Sequence, residues 1–167
     1  MQPLKKKNED TLGGKGKLYR TKAIDQRRNR RLNDNERALI ELIQSLDSKY
    51  DNLLVVVEGK RDVTVLRNLG LKAQIIKTQT HLPRPQLIER IRVKVGADGQ
   101  VLILTDFDQK GKEMHKFIEK ELELSKTKVL KRERRMVRKY MDTWICIEQL
   151  VSLFKRSDSP EVIDPQL

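Results

Sequence analysis

A single cysteine, Cys146, is present among 167 residues, so no internal disulfide can close and no cysteine-rich zinc site can form. Aromatic residues make up only 4% of the chain, too few for a stacking platform of the single-strand-binding kind. No run of about eighteen apolar residues occurs, which excludes a transmembrane helix. Nor does an apolar stretch lie between a basic region and a small-residue cleavage site near Met1. The expected compartment is therefore the cytosol, with no membrane partner beyond a peripheral one. The two histidines, His81 and His115, lack metal-ligand spacing and are assigned no role. Cys146 is expected to be a small buried residue, and Trp144 an anchor for a C-terminal helix.

Charge is abundant, at a net +12, and it is unevenly placed. Residues 1–31 carry 11 Lys and Arg against 3 acids, a net +8, and residues 126–139 carry 8 against 1, a net +7. The remainder is left at −3. A mildly acidic body with two basic attachments points to a polyanionic partner, nucleic acid first. The first attachment, residues 1–31, contains Arg27, Arg28, Arg30 and Arg31, has few apolar residues, and reads as a flexible basic arm. Its Gly13-Gly14-Lys15-Gly16-Lys17 patch follows no strand and lacks phosphate-loop spacing. The second attachment, with Lys131, Arg132, Arg134, Arg135 and Arg138, could turn a cationic helix face toward phosphates and bind them largely without regard to sequence.

Between these lies an alternation of strand and helix patterns. Asn33 and Glu36 form a capping pair ahead of a helix with Leu39, Ile40, Ile43 and Leu46 at helical spacing. Leu53–Val57 is a continuous apolar run, the pattern of a parallel strand covered on both faces. A helix over Asp62–Leu69, a strand over Ala73–Lys77, a helix over Gln86–Val95, a buried strand over Val101–Leu104 and a helix over Lys112–Leu124 follow. Residues 143–154 fit strand alternation in part, and the spacing of Trp144, Ile147, Leu150, Val151 and Phe154 predicts a helix of period 3.6. The last 13 residues, rich in Ser, Asp and Pro, read as a loose tail. The fold class is thus α/β: a mostly parallel sheet of about four strands flanked by helices, in a domain over residues 32–154.

Acidic motifs follow two of the strands. Glu58-Gly59-Lys60-Arg61-Asp62 follows the first, and Asp106-Phe107-Asp108-Gln109-Lys110-Gly111 follows the third. Ligands of open parallel sheets bind beyond the carboxyl ends of the strands, so adjacent strands would bring Glu58, Asp106 and Asp108 together. The spacing of Asp106 and Asp108 puts both on one side of an extended segment, with Phe107 pointing the other way into packing. Clustered carboxylates repel one another and raise each other's pKa unless a cation or a function keeps them together. Mg²⁺ suits hard oxygen ligands and keeps waters that phosphate can replace, so Glu58, Asp106 and Asp108 are expected to form one magnesium-binding cluster, with Mn²⁺ the alternative ion. Gly59 and Gly111 would permit tight turns and close backbone approach. Lys60, Arg61, Lys110 and Lys112 adjoin the acids and could orient a phosphate.

The E-G-x-x-D and D-x-D-x-x-G motifs, each after a buried strand and about 45 residues apart, resemble the Toprim domain of topoisomerases, bacterial-type primases and related nucleases. The resemblance spans about Leu53 to Leu124 and reaches toward Phe154. In size and wording it is most similar to small primase-like Toprim proteins and to the ribonuclease that matures 5S ribosomal RNA. It implies a small Rossmann-like domain with a magnesium-dependent phosphoryl-transfer site. Glu58 would match the general acid/base, Asp106 and Asp108 the metal ligands, and Asp62 a supporting acid. Strand passage is not expected, because Tyr19, Tyr50 and Tyr140 lie in no matching context. Complete priming is not expected either, for want of a zinc-binding region. Three functions remain in contention: a Mg²⁺-dependent endonuclease on structured RNA, ribosomal precursors included; a non-catalytic RNA-binding or ribosome-associated factor; and a DNA repair or priming accessory.

Overall fold

Leu53–Val57, a pure run of leucine and valine, forms β1, and every one of its residues is buried. A strand with no polar face must lie in the middle of a sheet with helices on both sides. The structure, a computed structural model, describes residues 30–160. In chain order its elements are α1 (Asp34–Lys49), β1 (Leu53–Val57), α2 (Lys60–Asn68), β2 (Gln74–Lys77), α3 (Arg84–Val95), β3 (Gln100–Ile103), α4 (Gln109–Leu124), β4 (Lys128–Val129), α5 (Lys131–Met141) and a closing 3-10 helix (Ile147–Lys155).

The sheet has four strands in the order β2-β1-β3-β4, and every pairing is parallel, as the expected α/β class requires. β1 and β3 are adjacent, with Val55 opposite Leu102 and Val56 opposite Ile103. Strand alternation sends Leu53, Val55, Val57, Leu102 and Leu104 into one layer, against α1, α2, α5 and the 3-10 helix. Leu54, Val56, Val101 and Ile103 enter the other layer, against α3 and α4. Each buried Leu, Ile or Val contributes about 1.5–3 kcal/mol. β1 leads through α2 on one layer to β2, and β3 leads through α4 on the other layer to β4, so the chain leaves β1 in one direction across the sheet and β3 in the other. The carboxyl ends of β1 and β3 therefore flank the topological switch point.

Several boundaries differ from the sequence pattern for local reasons. α2 starts at Lys60, two residues early, because Asp62 sits in its first turn and accepts the Gly59 N–H at 3.0 Å. α4 starts at Gln109, where Asp108 caps it by accepting the Gly111 N–H at 2.8 Å. β4 falls inside the basic stretch; a two-residue strand carries no periodicity to find. Residues 147–155 are helical but wound as a 3-10 helix. The buried stripe is accordingly Ile147, Leu150 and Leu153, a period of three, and Val151 is exposed.

The predicted cap of the first helix is present: Asn33 Oδ1 accepts the Glu36 N–H at 2.8 Å. Glu36 is buried and pairs with both Arg30 and Arg156. Asp158 accepts the Leu32 N–H at 2.7 Å and pairs with Arg37. Residues 155–160 of the expected tail thus contact the start of the domain. Arg27 and Arg28, with the rest of residues 1–29, and residues 161–167 lie outside the described residues.

Candidate metal centre

β1 ends at Val57, so Glu58 is the first residue beyond the sheet on that strand. β3 ends at Ile103, and Leu104 still bonds across to β1, its N–H 2.7 Å from the Val56 carbonyl. Two residues further on, the Asp106 N–H points back at Glu58 and donates to its Oε1 at 3.2 Å. This bond joins the two acidic motifs. Asp106 Oδ1 in turn accepts the N–H of Ile147, the first residue of the 3-10 helix, at 2.9 Å. Asp106 and Asp108 thus each have one oxygen held by a backbone N–H, which sets the carboxylate's orientation and leaves its other oxygen for a ligand.

Asp106, Asp108 and Cys146 each present a ligand atom within 4.8 Å of the other two. This is the span that donors around one divalent ion occupy. Two hard carboxylates fit a divalent cation, which takes oxygen ligands at about 2.0–2.6 Å. Glu58 stands beside this group rather than in it; its place as a ligand is not part of the compact donor set. Cys146 is half-buried and faces the acids, where the sequence suggested a buried core residue without a partner. No sequence signal locates it, because the 3-10 helix brings it to the site from 40 residues away.

Phe107 turns away into the core as expected and is buried. Gly111 is where the D-x-D-x-x-G spacing becomes a steric requirement. A Cβ there would lie 1.9 Å from the Asp106 carbonyl oxygen, and the Gly111 carbonyl accepts the Thr105 hydroxyl at 2.8 Å. Only glycine lets the first turn of α4 pack on the backbone of Asp106. Gly59 differs from expectation: its backbone is extended, at φ −140°, and an added Cβ would meet only the end of the Gln79 side chain.

Burial and like charge act together on these acids. Desolvation first, then the neighbouring Asp106 carboxylate, pushes the Glu58 pKa up to about 7. Burial also raises Asp62, against the Gly59 hydrogen bond that lowers it. Burial and the two aspartates raise the Cys146 thiol to about 11. Glu58, Asp62, Asp106, Gln79, Glu148, Lys60 and Arg61 line an open cleft of about 420 Å³.

The cations divide into three groups. Lys60, Arg61, Lys110 and Lys112 are exposed around the acids, with Arg61 3.8 Å from Glu148. Arg132 and Arg135 are exposed on α5, and Lys131 is paired with Glu119 and Glu123. Arg138 donates to the Asp142 carbonyl at 2.8 Å. Arg134 corrects the sequence reading: it is buried, and its Nη1 donates at 2.9 Å to the carbonyls of Ile103 and Thr105. Its guanidinium lies 4.4 Å from the Phe107 ring centre, and burial lowers its pKa to about 10. It cannot face phosphate. The spacing that marks it is its place between Leu130, Val137 and Met141 on the buried stripe of α5. Of the arm residues within the description, Arg31 is exposed and Arg30 is engaged by Glu36.

A parallel sheet with a glutamate beyond one central strand and paired aspartates beyond its neighbour defines a Toprim domain, and the Toprim domain profile matches residues 52–132. Toprim domains bind divalent metal ions and act on nucleic acid. Over 135 residues the chain is 37% identical to a UPF0292 protein of Thermococcus gammatolerans, covering 80% of this chain and 95% of the relative. A UPF0292 protein of Thermococcus onnurineus is 34% identical over the same shares. A solved structure of a protein from Aquifex aeolicus shares the fold at 21% identity and a TM-score of 0.54, covering 65% of this chain and 94% of that one. The chain therefore belongs to the UPF0292 family of proteins and carries a Toprim domain over residues 52–132. Among the described residues no helix is long and apolar enough to cross a membrane.

Proposed function

We propose that this chain is a cytosolic, Mg²⁺-dependent endonuclease acting on structured RNA, with Mn²⁺ able to replace Mg²⁺. The observation that carries this reading is Glu58: a carboxyl whose pKa lies near neutrality, hydrogen-bonded to the backbone of Asp106, at the lip of an open cleft. A general base works best with a pKa near the operating pH. Asp106 and Asp108 would hold the ion, which when bound supplies Lewis acidity toward a phosphate oxygen. Glu58 takes the proton of the attacking water or hydroxyl. Lys60 and Arg61, which line the cleft, and Lys110 and Lys112, exposed on the first turn of α4, orient the phosphodiester, and the α5 cations Arg132 and Arg135 hold flanking phosphates.

The test is incubation with structured RNA, ribosomal precursors first, and with DNA of matched length, each with and without Mg²⁺. RNA cleavage that needs Mg²⁺ and is lost in Glu58→Gln and Asp106→Asn is the expected result. Cleavage surviving both substitutions overturns the mechanism. Salt-sensitive binding without cleavage, unchanged in both variants, selects instead a non-catalytic RNA-binding role, and a preference for DNA selects a repair or priming accessory.

A further inference from the structure

The donor set of the metal centre is chemically mixed. Beside two hard carboxylates stands the sulfur of Cys146, its ligand atom within 4.8 Å of both. This placement is built from both sides. The Phe107 N–H donates to the Ile145 carbonyl at 2.7 Å, and the Ile147 N–H donates to Asp106 Oδ1 at 2.9 Å. Residues on each side of Cys146 are therefore tied to the Asp106–Asp108 turn. Gln149 Oε1 then accepts the N–H groups of Ile145 and Cys146, both at 2.9 Å, which fixes the backbone at the start of the 3-10 helix. The three candidate ligands belong to one hydrogen-bonded unit, not to a loop that passes nearby.

We propose that Cys146 is a third protein donor to the ion held by Asp106 and Asp108, giving the site a preference for borderline and soft divalent ions, Zn²⁺ and Cd²⁺ above all, over Mg²⁺. This rests on the metal reading above and sharpens it. Carboxylate and water suit Mg²⁺, whereas thiolate ligands select softer ions. On coordination the thiol proton passes to solvent and a sulfur–metal bond forms. Mg²⁺ gains nothing from sulfur, so its binding rests on the aspartates alone. The same pocket therefore reads two classes of ion through two different subsets of its ligands.

The test is titration of the whole chain with Cd²⁺, followed by cadmium–thiolate charge-transfer absorption and by calorimetry. Cys146 is the only cysteine, so the band reports one sulfur. The expected result is a band that saturates at one equivalent and disappears in Cys146→Ser, with Cd²⁺ affinity reduced at least about tenfold. Mg²⁺ affinity stays the same in that variant. Asp106→Asn and Asp108→Asn shift the band to higher Cd²⁺ concentration. Absence of the band, equal Cd²⁺ affinity in Cys146→Ser, or a band insensitive to both aspartate substitutions overturns the proposal. Mg²⁺ binding that persists alongside such a result leaves the metal reading standing, while absence of all divalent binding in the wild type overturns both. Far-ultraviolet circular dichroism and melting of Cys146→Ser and Cys146→Ala, matching the wild type, confirm that the fold is intact.

Discussion

Arg134 donates a hydrogen bond to the Thr105 carbonyl at 2.9 Å, at the point where β4 would have supplied the partner had it continued. The carbonyls of Val101, Ile103 and Thr105 all face the β4 side of β3. The Leu130 N–H satisfies the first, and Arg134 satisfies the other two. A single side chain completes the edge of the sheet beside Asp106, because β4 is only two residues long.

Arg134→Met leaves two buried carbonyls without a donor and is expected to cost about 2–4 kcal/mol of stability. Urea unfolding checks this. Arg134→Lys retains a charge but not the fork and should fall between Met and wild type. An undiminished stability in Arg134→Met would contradict the structural role.

Gly111→Ala places a methyl group against the Asp106 backbone. The turn that carries both aspartates must then shift, and the expected loss is about 2–4 kcal/mol of stability together with weakened divalent-ion binding. Thermal melting and calorimetry report the two effects. Gly59→Ala, where only the end of a flexible side chain is in the way, should be far milder.

Removing a proposed ligand of the ion has a simple signature. Addition of Mg²⁺ or Mn²⁺ is expected to raise the melting temperature of the wild type, since binding to the folded state alone adds stability. In Asp106→Asn the rise disappears and the dissociation constant increases at least about tenfold, or about 1.4 kcal/mol.

Stability should depend on pH through Glu58. Its folded pKa of about 7 lies above its ordinary value of 4.5. Between these values the folded state keeps a proton that the unfolded chain releases, so the metal-free protein loses stability as pH rises through that window. Glu58→Gln lacks the titration. It should exceed the wild type by about 1–2 kcal/mol at pH 8, after allowance for solvent screening, and match it at pH 4. Denaturant midpoints measured across that range decide it.

Salt dependence separates the basic residues. If Arg132 and Arg135 hold phosphates, replacing both with Gln should reduce the slope of log K against log salt by up to about 2 for RNA binding. Filter binding at several salt concentrations measures it. Lys131→Gln, at a lysine already paired with two acids, is expected to matter less.

Much of this protein was legible in its sequence. Leu53–Val57 and Val101–Leu104 are uninterrupted apolar runs, and such runs have one stable home, the centre of a covered parallel sheet. The acids after them are therefore placed at the sheet's carboxyl edge by chain connectivity alone. The Asn33–Glu36 cap and the glycine of D-x-D-x-x-G are equally local. Residues 147–155 show the limit of periodicity: the apolar positions are compatible with periods of 3.0 and 3.6, and packing under α2 selects the tighter winding.

What the tertiary structure alone decided is which distant residues complete the site. Cys146 carries no local signature and Arg134 only its spacing with Val137 and Met141, since a cation in a basic stretch and a lone thiol have the same immediate neighbours whether they face solvent or the interior. Their places follow from long-range geometry: the early end of β4 leaves carbonyls that a buried guanidinium must satisfy, and the 3-10 helix docks its first N–H on Asp106. Glu58 owes its elevated pKa to the same cause. Its residue type and strand-end position follow from the sequence, but desolvation and the nearness of Asp106 exist only once β1 and β3 lie side by side.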